Sequence, residues 1–345
     1  MKAILSFLPH NLKLALLRQH LGRSLGPAAW PRPTFDILDR PDSRPLQVSL
    51  HKGASGIEAG VNLSAAVHHR FVYRMLYARF PAALRVFSKA GPNVRRVTAD
   101  LTDGVEPFAG GLAFCARHDG VILIPDPVFV NSGGYAAFRA PSSVLPWRLR
   151  RDTVVWRGTS TGIGQVTTDT MAAGDPHLRQ RIRMCLMLGS VQGVDARISK
   201  TESDVSALDR ERLRRYGLLG GKIRQRNWGR NKFALDVDGH TNAWSNFFVR
   251  MLLGCCVLKI ESQHGFRQWY YNKLMPWRHY VPVRADMSDL VEKIEWCRSH
   301  DGECAEIARA GSAFAHAMSV DGEIADAASR LEAANSHSHG EQPVA

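Results

Sequence analysis

Glycines and hydroxyl side chains follow an arginine in the segment VVWRGTSTGIG, which begins as a β-rich run. Arg157 ends that run, and Gly158, Thr159 and Ser160 come directly after it. Glycine lets backbone N–H groups approach a phosphate, hydroxyl groups add donors, and a guanidinium binds phosphate oxygens as a fork. The segment therefore predicts a diphosphate site, with an ordinary turn as the alternative. The sequence has no GK[ST] and no GxGxxG at this point, which argues against a kinase or a dehydrogenase.

A second candidate lies in NKFALDVDGHTNAWSNFFVRMLLGCC, where a predicted strand passes through Asp238 and Gly239 into an amphipathic segment. A helix that follows a strand aims its N-terminal amides at the carboxyl edge of the sheet, where α/β folds bind nucleotides. The pattern predicts an anion site near residues 240–243. In the alternative interpretation Asp238 only closes the turn.

Two further motifs place reactive or aromatic side chains beside prolines. The ring side chains of KLMPWRHYVPV predict a wall against a sugar or a base, with a packed loop as the alternative: Trp277, His279 and Tyr280. Asp126 follows the apolar run 121–124. A carboxylate at the carboxyl end of a strand can act as a general base. Because Pro127 comes next, a turn residue is the alternative.

Short apolar runs alternate with helical patterns and would position these residues. Strands are predicted at 121–124, 153–156, 233–237 and 256–260, with helices at 67–87 and after Pro282. This alternation predicts an α/β protein. A chain of 345 residues exceeds the usual size of one hydrophobic core, which indicates two domains.

The composition narrows the choice of partners. A formal net charge of +13 draws the protein toward nucleic acid, anionic lipid or phosphorylated substrates. Six cysteines without framework spacing predict reduced, mostly buried thiols. No apolar run approaches the roughly 20 residues that span a bilayer, so a cytoplasmic chain is expected. Leucines and cations at 12–23 predict a helix on an anionic membrane surface or, equally, a domain helix with a basic face.

Taken in order, the motifs resemble those of the family 90 glycosyltransferases, and most of all the bacterial lipopolysaccharide-type branch. The resemblance is strongest over 232–314, through KFALDVDGHTNAWS, LLGCCVLKIES, QWYYNKLMPWRHYVPVRADMSDLVEKIEW and EIARAGSAFA. Upstream, the tripeptide at 156–158 and the dipeptide at 126–127 also match. An ordered series of this kind is far more specific than any one motif.

The resemblance implies a GT-B architecture, in which two facing Rossmann-like domains enclose a cleft. The acceptor-side domain is expected at 46–148 and the nucleotide-sugar domain at 149–320. Residues 1–45 are expected to form a basic helix and a Pro-rich connection, and residues 321–345 a helix and then a disordered tail.

The resemblance also implies inversion at the anomeric carbon without a metal or another cofactor. Asp126 would take the proton of the acceptor hydroxyl, and Arg157 and Lys232 would stabilise the departing UDP. Where animal members carry Ser-x-Arg this chain has Phe247 in place of the arginine, so Arg250 or Arg230 is the expected substitute. The expected donor contacts are Arg157, Gly158, Thr159, Ser160, Lys232, Asp238, Gly239, Trp244, Ser245 and Glu261.

These features favour a glycosyltransferase that moves a sugar of the glucose or xylose type from a UDP-sugar in surface-glycan synthesis. The alternative is a basic protein that binds nucleic acid or glycan without catalysis, through the cations at 179–183, 210–215 and 222–230 with Trp228. No recognised nucleic-acid module accompanies these runs. The expected partners are therefore a nucleotide-sugar, a glycan or glycolipid acceptor and an anionic membrane surface.

Overall fold

The computed structural model describes 46–54, 56–61, 70–104, 108–140 and 145–340, with one strand and isolated positions before residue 46. The predicted N-terminal basic helix lies largely outside the described residues. The chain forms two compact units, Met1–Gly134 with Ser319–Ala345, and Tyr135–Met318. Each unit has its own β-sheet and its own helices, which confirms the α/β class.

The elements with defined bounds are as follows. The strands are β1 (Thr34–Ile37), β2 (Gln47–Gly53), β3 (Gly56–Val61), β4 (Arg96–Asp100), β5 (Gly111–Ala113), β6 (Val121–Leu123), β7 (Arg151–Thr159), β8 (Val194–Lys200), β9 (Asn231–Asp236), β10 (Cys256–Ile260) and β11 (Val281–Val283). The helices are α1 (Arg70–Lys89), α2 (Pro127–Asn131), α3 (Gln180–Leu188), α4 (Ala207–Arg215), α5 (Ser245–Leu252), α6 (Leu290–Ser299), α7 (Asp301–Ala317) and α8 (Val320–Gly340).

The sheet of the first unit has the order β1-β3-β2-β4-β5-β6 and is mixed. Strand β2 runs antiparallel to both of its neighbours, β3 and β4, and the chain reverses tightly between Gly53 and Gly56 to form the pairing with β3. The sheet therefore differs from the all-parallel sheet of a Rossmann-like domain. Strand β1 pairs with β3 inside the segment that was expected to be a structureless Pro-rich connection, so that expectation is wrong there.

Helices α1 and α8 pack together in the first unit. Helix α1 buries Leu76, Phe80, Leu84 and Phe87 at the spacing of one helical face. The carboxylate of Glu332 on α8 accepts a 2.7 Å hydrogen bond from the Gly91 amide. The C-terminal helix is present as expected, and it belongs to the first unit.

The second unit has a fully parallel sheet of order β11-β10-β9-β7-β8. The strands predicted at 153–156, 233–237 and 256–260 are its three central strands. The strand order reverses between β7 and β9, and doubly wound sheets of this order bind ligands outside the carboxyl ends at that point. The topology therefore predicts a ligand site at the loops that follow β7 and β9.

The second unit begins earlier in the chain than the expected boundary at 148/149. The ring of Tyr135 lies 5.5 Å from that of Phe248 on α5. The Arg139 guanidinium donates to the carbonyl of Met318 at 2.8 Å, and Arg150 donates to the carbonyl of Gly254. The described residues of 135–140 and 145–150 thus contact the core of the second unit, a contact that strand patterns do not predict.

All six cysteines are free and buried, as the sequence predicts. Three of them, Cys256, Cys297 and Cys304, have their sulfur atoms within 4.8 Å of one another. We expect a thiol reagent to modify none of the six in the folded protein and all six in denaturant, because a buried thiol does not reach a bulky reagent. Rapid modification of any cysteine before unfolding would contradict this burial.

Among the residues that the structure describes, no helix combines the length and the apolar character that crossing a bilayer requires.

Candidate donor site

Three loops lie side by side at the carboxyl edge of the second sheet. They follow β7 (residues 160–164), β9 (237–244) and β10 (261–271), which are adjacent strands. The backbone in the second loop is strained, since Trp244 has φ 50° and ψ −122° immediately before α5. Such conformations of bulky residues concentrate at functional sites. The sequence-predicted Trp244 and Ser245 therefore lie at the edge where the fold binds ligands.

A buried arginine joins the first two loops. Arg181 on α3 donates to the carbonyls of Thr159 at 3.1 Å and Asp238 at 2.9 Å, and to the Thr161 hydroxyl at 2.6 Å. Its guanidinium also lies 5.6 Å from the ring of Trp156. A planar fork with five donors suits this task better than a lysine. Arg181 thus fixes the point where the strand order reverses, a role that the arginine-rich run around it did not predict.

Close packing explains the glycines at this edge, because neighbouring side chains leave no room for a Cβ atom. A Cβ at Gly239 would lie 2.7 Å from the Thr161 hydroxyl, and one at Gly158 would lie 2.4 Å from the indole of Trp156. Ser160 is fully buried, and its hydroxyl accepts from the Glu202 amide at 3.1 Å. The hydroxyl of Ser160 therefore faces the protein interior, while Thr159 and Asp238–Gly239 line the edge.

A buried lysine sits between two carboxylates at the ends of β9 and β10. The Lys259 ammonium lies 3.1 Å from Asp236 and 3.2 Å from Asp238, and 5.4 Å from the ring of Tyr271. Burial alone would lower the pKa of Lys259, but the negative charges of Asp238 and Asp236 raise it above its usual value. The lysine is therefore a fixed cation. The two carboxylates that could otherwise attract a divalent cation are already paired with it.

A pocket of about 220 Å³ opens beyond the end of β10. It has an apolar, aromatic wall and a few charged groups: Phe247, Lys259, Glu261, Ser262, Gly265, Phe266, Arg267, Tyr271, Leu274 and Tyr280. Burial raises the pKa of the Tyr280 phenol, which keeps it neutral at physiological pH. An aromatic wall with few polar groups is typical of small-molecule sites, and it would accept a nucleobase or a sugar ring.

Only part of the predicted aromatic wall lines this pocket. Tyr280 does, whereas the ring of Trp277 packs at 4.8 Å against that of Trp296. His279 is largely buried beside Phe314, and its Nδ1 accepts from the Met275 amide at 3.0 Å. Burial lowers the pKa of His279. The packed-loop alternative therefore fits His279, while the Trp277 ring is 44% exposed, contacts Trp296 and does not line this pocket.

Other groups of the protein engage the side chains of the two expected UDP cations. The Arg157 guanidinium is fully engaged, with a 2.7 Å ion pair to Asp195 on β8 and bonds to three carbonyls. Lys232 is the second residue of β9, at the amino edge of the sheet, and its ammonium pairs with Asp152 and Asp301. A sequence motif identifies the residue type, but it does not show whether that residue lies at the amino end or the carboxyl end of its strand.

Replacement of Lys232 by Met is expected to leave the affinity for a nucleotide unchanged within about twofold and to lower stability. The ammonium is paired with two carboxylates at the amino edge, and removing one partner of a partly buried ion pair destabilises the fold. Nucleotide titration calorimetry and denaturant unfolding measure the two effects. A loss of nucleotide binding in a folded Lys232→Met protein would return Lys232 to the donor site.

Neither expected substitute for the missing family arginine reaches the edge. Arg250 is buried with its guanidinium 3.4 Å from the Trp228 ring and donates to Gln225 at 2.6 Å. Arg230 lines a different pocket. Among the described residues, the cations that reach the edge or its pocket include Arg179, Arg181, Lys259 and Arg267. The sequence had Lys259 within a family motif and the first two within a basic run, and it assigned none of the four to the donor.

The proposed base belongs to the first unit. Asp126 is buried and caps α2, because its carboxylate accepts hydrogen bonds from Val128 N at 2.8 Å and Phe129 N at 2.9 Å. These bonds hold the carboxylate at the end of the loop that follows β6. The geometry explains the aspartate as a helix cap and leaves its role as a base to experiment.

Comparison with known proteins decides the family. A model described as Glycosyl transferase family 90 matches residues 137–326, more than half of the chain. The chain belongs to glycosyltransferase family 90. The family match contains the whole set of donor-site loops and excludes Asp126, which lies upstream of it.

Individual relatives of this family 90 chain are longer proteins. Uncharacterized protein 179R of Invertebrate iridescent virus 6 is 31% identical over 201 residues, covering 49% of this chain and 15% of that protein. Protein O-glucosyltransferase 2 of Danio rerio is 37% identical over 100 residues, covering 29% of this chain and 19% of that protein. The chain thus spans less than a fifth of either relative.

Among solved structures, HepE of Anabaena in complex with UDP and glucose is similar over 60% of this chain and 54% of that chain. The sequence identity is 12% and the TM-score is 0.33.

Proposed function

We propose that this chain is an inverting, metal-independent glycosyltransferase that moves glucose or xylose from a UDP-sugar to a hydroxyl of a surface glycan such as lipopolysaccharide. The proposal assigns the general base to Asp126 of the first unit and donor binding to the second unit. One observation carries it: three adjacent loops and a strained helix start lie together at the carboxyl edge of the second sheet, with an aromatic pocket beyond β10. Family membership and the O-glucosyltransferase relative support the choice of sugar.

In this mechanism the uridine and ribose occupy the pocket beyond β10, with Tyr271 and Tyr280 as the aromatic wall and Glu261 as a hydrogen-bond acceptor. The diphosphate lies toward the loops after β7 and β9. Asp126 accepts the proton of the acceptor hydroxyl while its oxygen attacks the anomeric carbon, and the bond to UDP breaks on the opposite face.

Charge on the departing UDP then needs fixed cations. Lys259 and Arg267 line the pocket, and Lys259 is held rigidly by two carboxylates. Preorganised charges of this kind contribute more to catalysis than mobile ones. Because Asp236 and Asp238 are paired with Lys259, they are poor ligands for Mg²⁺ or Mn²⁺. This pairing supports the metal-independent form of the proposal.

Thermal unfolding with UDP, GDP, CMP and UDP-sugars, all in EDTA, tests the proposal. A ligand at about 100 times its Kd stabilises the fold by roughly 2.7 kcal/mol. We expect a rise in Tm with UDP and with one UDP-sugar, and release of UDP from that sugar when acceptor is added. A UDP effect that needs a divalent metal would overturn metal independence. The absence of any nucleotide effect would favour the binding protein without catalysis.

A further inference from the structure

Three exposed arginines converge on a second pocket of this unit, at the amino ends of β7 and β9 and opposite the donor loops. The pocket has a volume of about 600 Å³ and is lined by Leu145, Leu149, Arg151, Arg226, Asn227, Gly229 and Arg230. We call these seven residues the basic pocket. In the described part of the chain, the guanidinium groups of Arg151, Arg226 and Arg230 form no hydrogen bond and no ion pair.

The surface next to the basic pocket is also lined by arginine side chains. A smaller pocket of about 310 Å³ shares Arg151, Asn227 and Arg230 with the basic pocket. Its carboxylate, Asp195, is already paired with Arg157 at 2.7 Å. No carboxylate is among the described residues that line the basic pocket. Unpaired guanidinium groups gathered in a concave site bind phosphate oxygens as charge-assisted forks.

Two exposed leucines at the rim of the basic pocket favour an anionic lipid over a nucleic acid as the phosphate ligand. Leu149 is 63% exposed and Leu145 is 40% exposed, beside the arginines. Exposed apolar side chains next to cations are typical of surfaces that insert into the headgroup region of an anionic bilayer. A nucleic acid would instead require exposed rings on which bases stack. Trp228, the aromatic residue of this basic run, is 2% exposed and covered by Arg250.

We propose that the basic pocket binds the phosphate of an anionic phospholipid headgroup and docks the second unit on an anionic bilayer. Leu145 and Leu149 enter the headgroup layer, and Arg151, Arg226 and Arg230 contact the phosphates. The inference rests on the proposed function in one respect: docking on a bilayer would bring the enzyme to an acceptor that is attached to the membrane. Lipid binding by the pocket is separate from donor binding.

Sedimentation with vesicles tests the docking in the full chain. We use phosphatidylcholine vesicles, with and without phosphatidylglycerol, and the variant Arg151→Gln/Arg226→Gln/Arg230→Gln. Each cation near an anionic surface contributes roughly fivefold to partitioning, so the triple variant should bind the anionic vesicles about 100-fold more weakly. The matched control, Arg210→Gln/Arg214→Gln/Arg215→Gln on α4, loses the same charge and should lose less than about tenfold.

A second variant keeps the charge constant. Leu145→Ser/Leu149→Ser should weaken binding to the anionic vesicles several-fold. Free inorganic phosphate should compete poorly with the vesicles for the protein, because it has no apolar part that the two leucines could contact.

Three results would overturn the proposal: no binding of the wild type to anionic vesicles, an equal loss in both triple variants, or full binding by the pocket variant. Insensitivity to the leucine variant combined with competition by RNA would assign the surface to nucleic acid instead. The UDP-induced rise in Tm is recorded for every variant. A pocket variant that keeps this rise but loses vesicles separates the docking from the proposed donor site.

Discussion

Replacement of Asp126 by Asn is expected to lower sugar transfer at least about 100-fold, because a general base contributes typically 10²–10⁴-fold to the rate. The same change should leave the free energy of unfolding within about 0.5 kcal/mol, since Asn caps a helix about as well as Asp. Its amide oxygen can still accept from Val128 N and Phe129 N. Steady-state release of UDP and denaturant unfolding measure the two quantities.

The aspartate offers a control that separates cap from base. Asp126→Ala removes the cap as well, and loss of an N-cap costs about 1 kcal/mol. Both variants should bind UDP as the wild type does, because the proposed donor contacts lie in the second unit. If Asp126→Asn transfers sugar at more than a tenth of the wild-type rate, Asp126 is only a helix cap and the base is another residue.

Replacement of Lys259 by Met should be the most destabilising single change at the donor site. It leaves the carboxylates of Asp236 and Asp238 buried without their cation, and breaking a buried ion pair in this way costs about 3–5 kcal/mol. UDP binding should fall with it, because Lys259 lines the pocket. Denaturant unfolding and calorimetry are the measurements. The exposed Lys222 is the matched control, and Lys222→Met should change stability by less than about 0.5 kcal/mol.

The pH dependence of this variant has a definite sign. The folded-state pKa of Lys259 is raised, so its contribution is fully present below the ordinary lysine pKa and is lost as the pH rises through the raised value. The stability difference between wild type and Lys259→Met should therefore be constant near neutral pH and narrow above about pH 10.4. A difference that widens in alkali would contradict the ion-pair assignment.

A further variant separates charge from packing. Asp236→Asn/Asp238→Asn combined with Lys259→Met removes the unpaired charges and should recover part of the lost stability. A triple variant no more stable than Lys259→Met would show that shape, rather than charge, dominates there.

The sequence predicted the central strands of the second unit well because they are buried on both faces. Strands β9 and β10 are fully buried, so they appear as short continuous apolar runs. Strand β1 was missed for a different reason. It is a short strand among prolines, and its pairing with β3 is a tertiary contact that local composition does not indicate.

The sequence could place residues at the carboxyl edge where loops follow strands, but it could not indicate contacts between residues that are distant in sequence. Asp238, Gly239 and Glu261 could be assigned to this edge because they come after recognisable strands. Arg181 could not, since its partners Thr159 and Asp238 lie 22 and 57 residues away. The motif also did not show at which end of β9 Lys232 lies, and the structure places it at the amino end, opposite the loop of Asp238 and Gly239.

Hydrogen exchange of the full chain with and without UDP, in EDTA, tests the central claim that the carboxyl edge of the second sheet holds the nucleotide. We predict slower exchange in the loops 159–164, 237–245 and 261–271, and unchanged exchange at 222–230 beside the basic pocket. Protection centred on the amino edge around 231–232, or on the basic pocket, with no change in the three loops, would contradict the donor site.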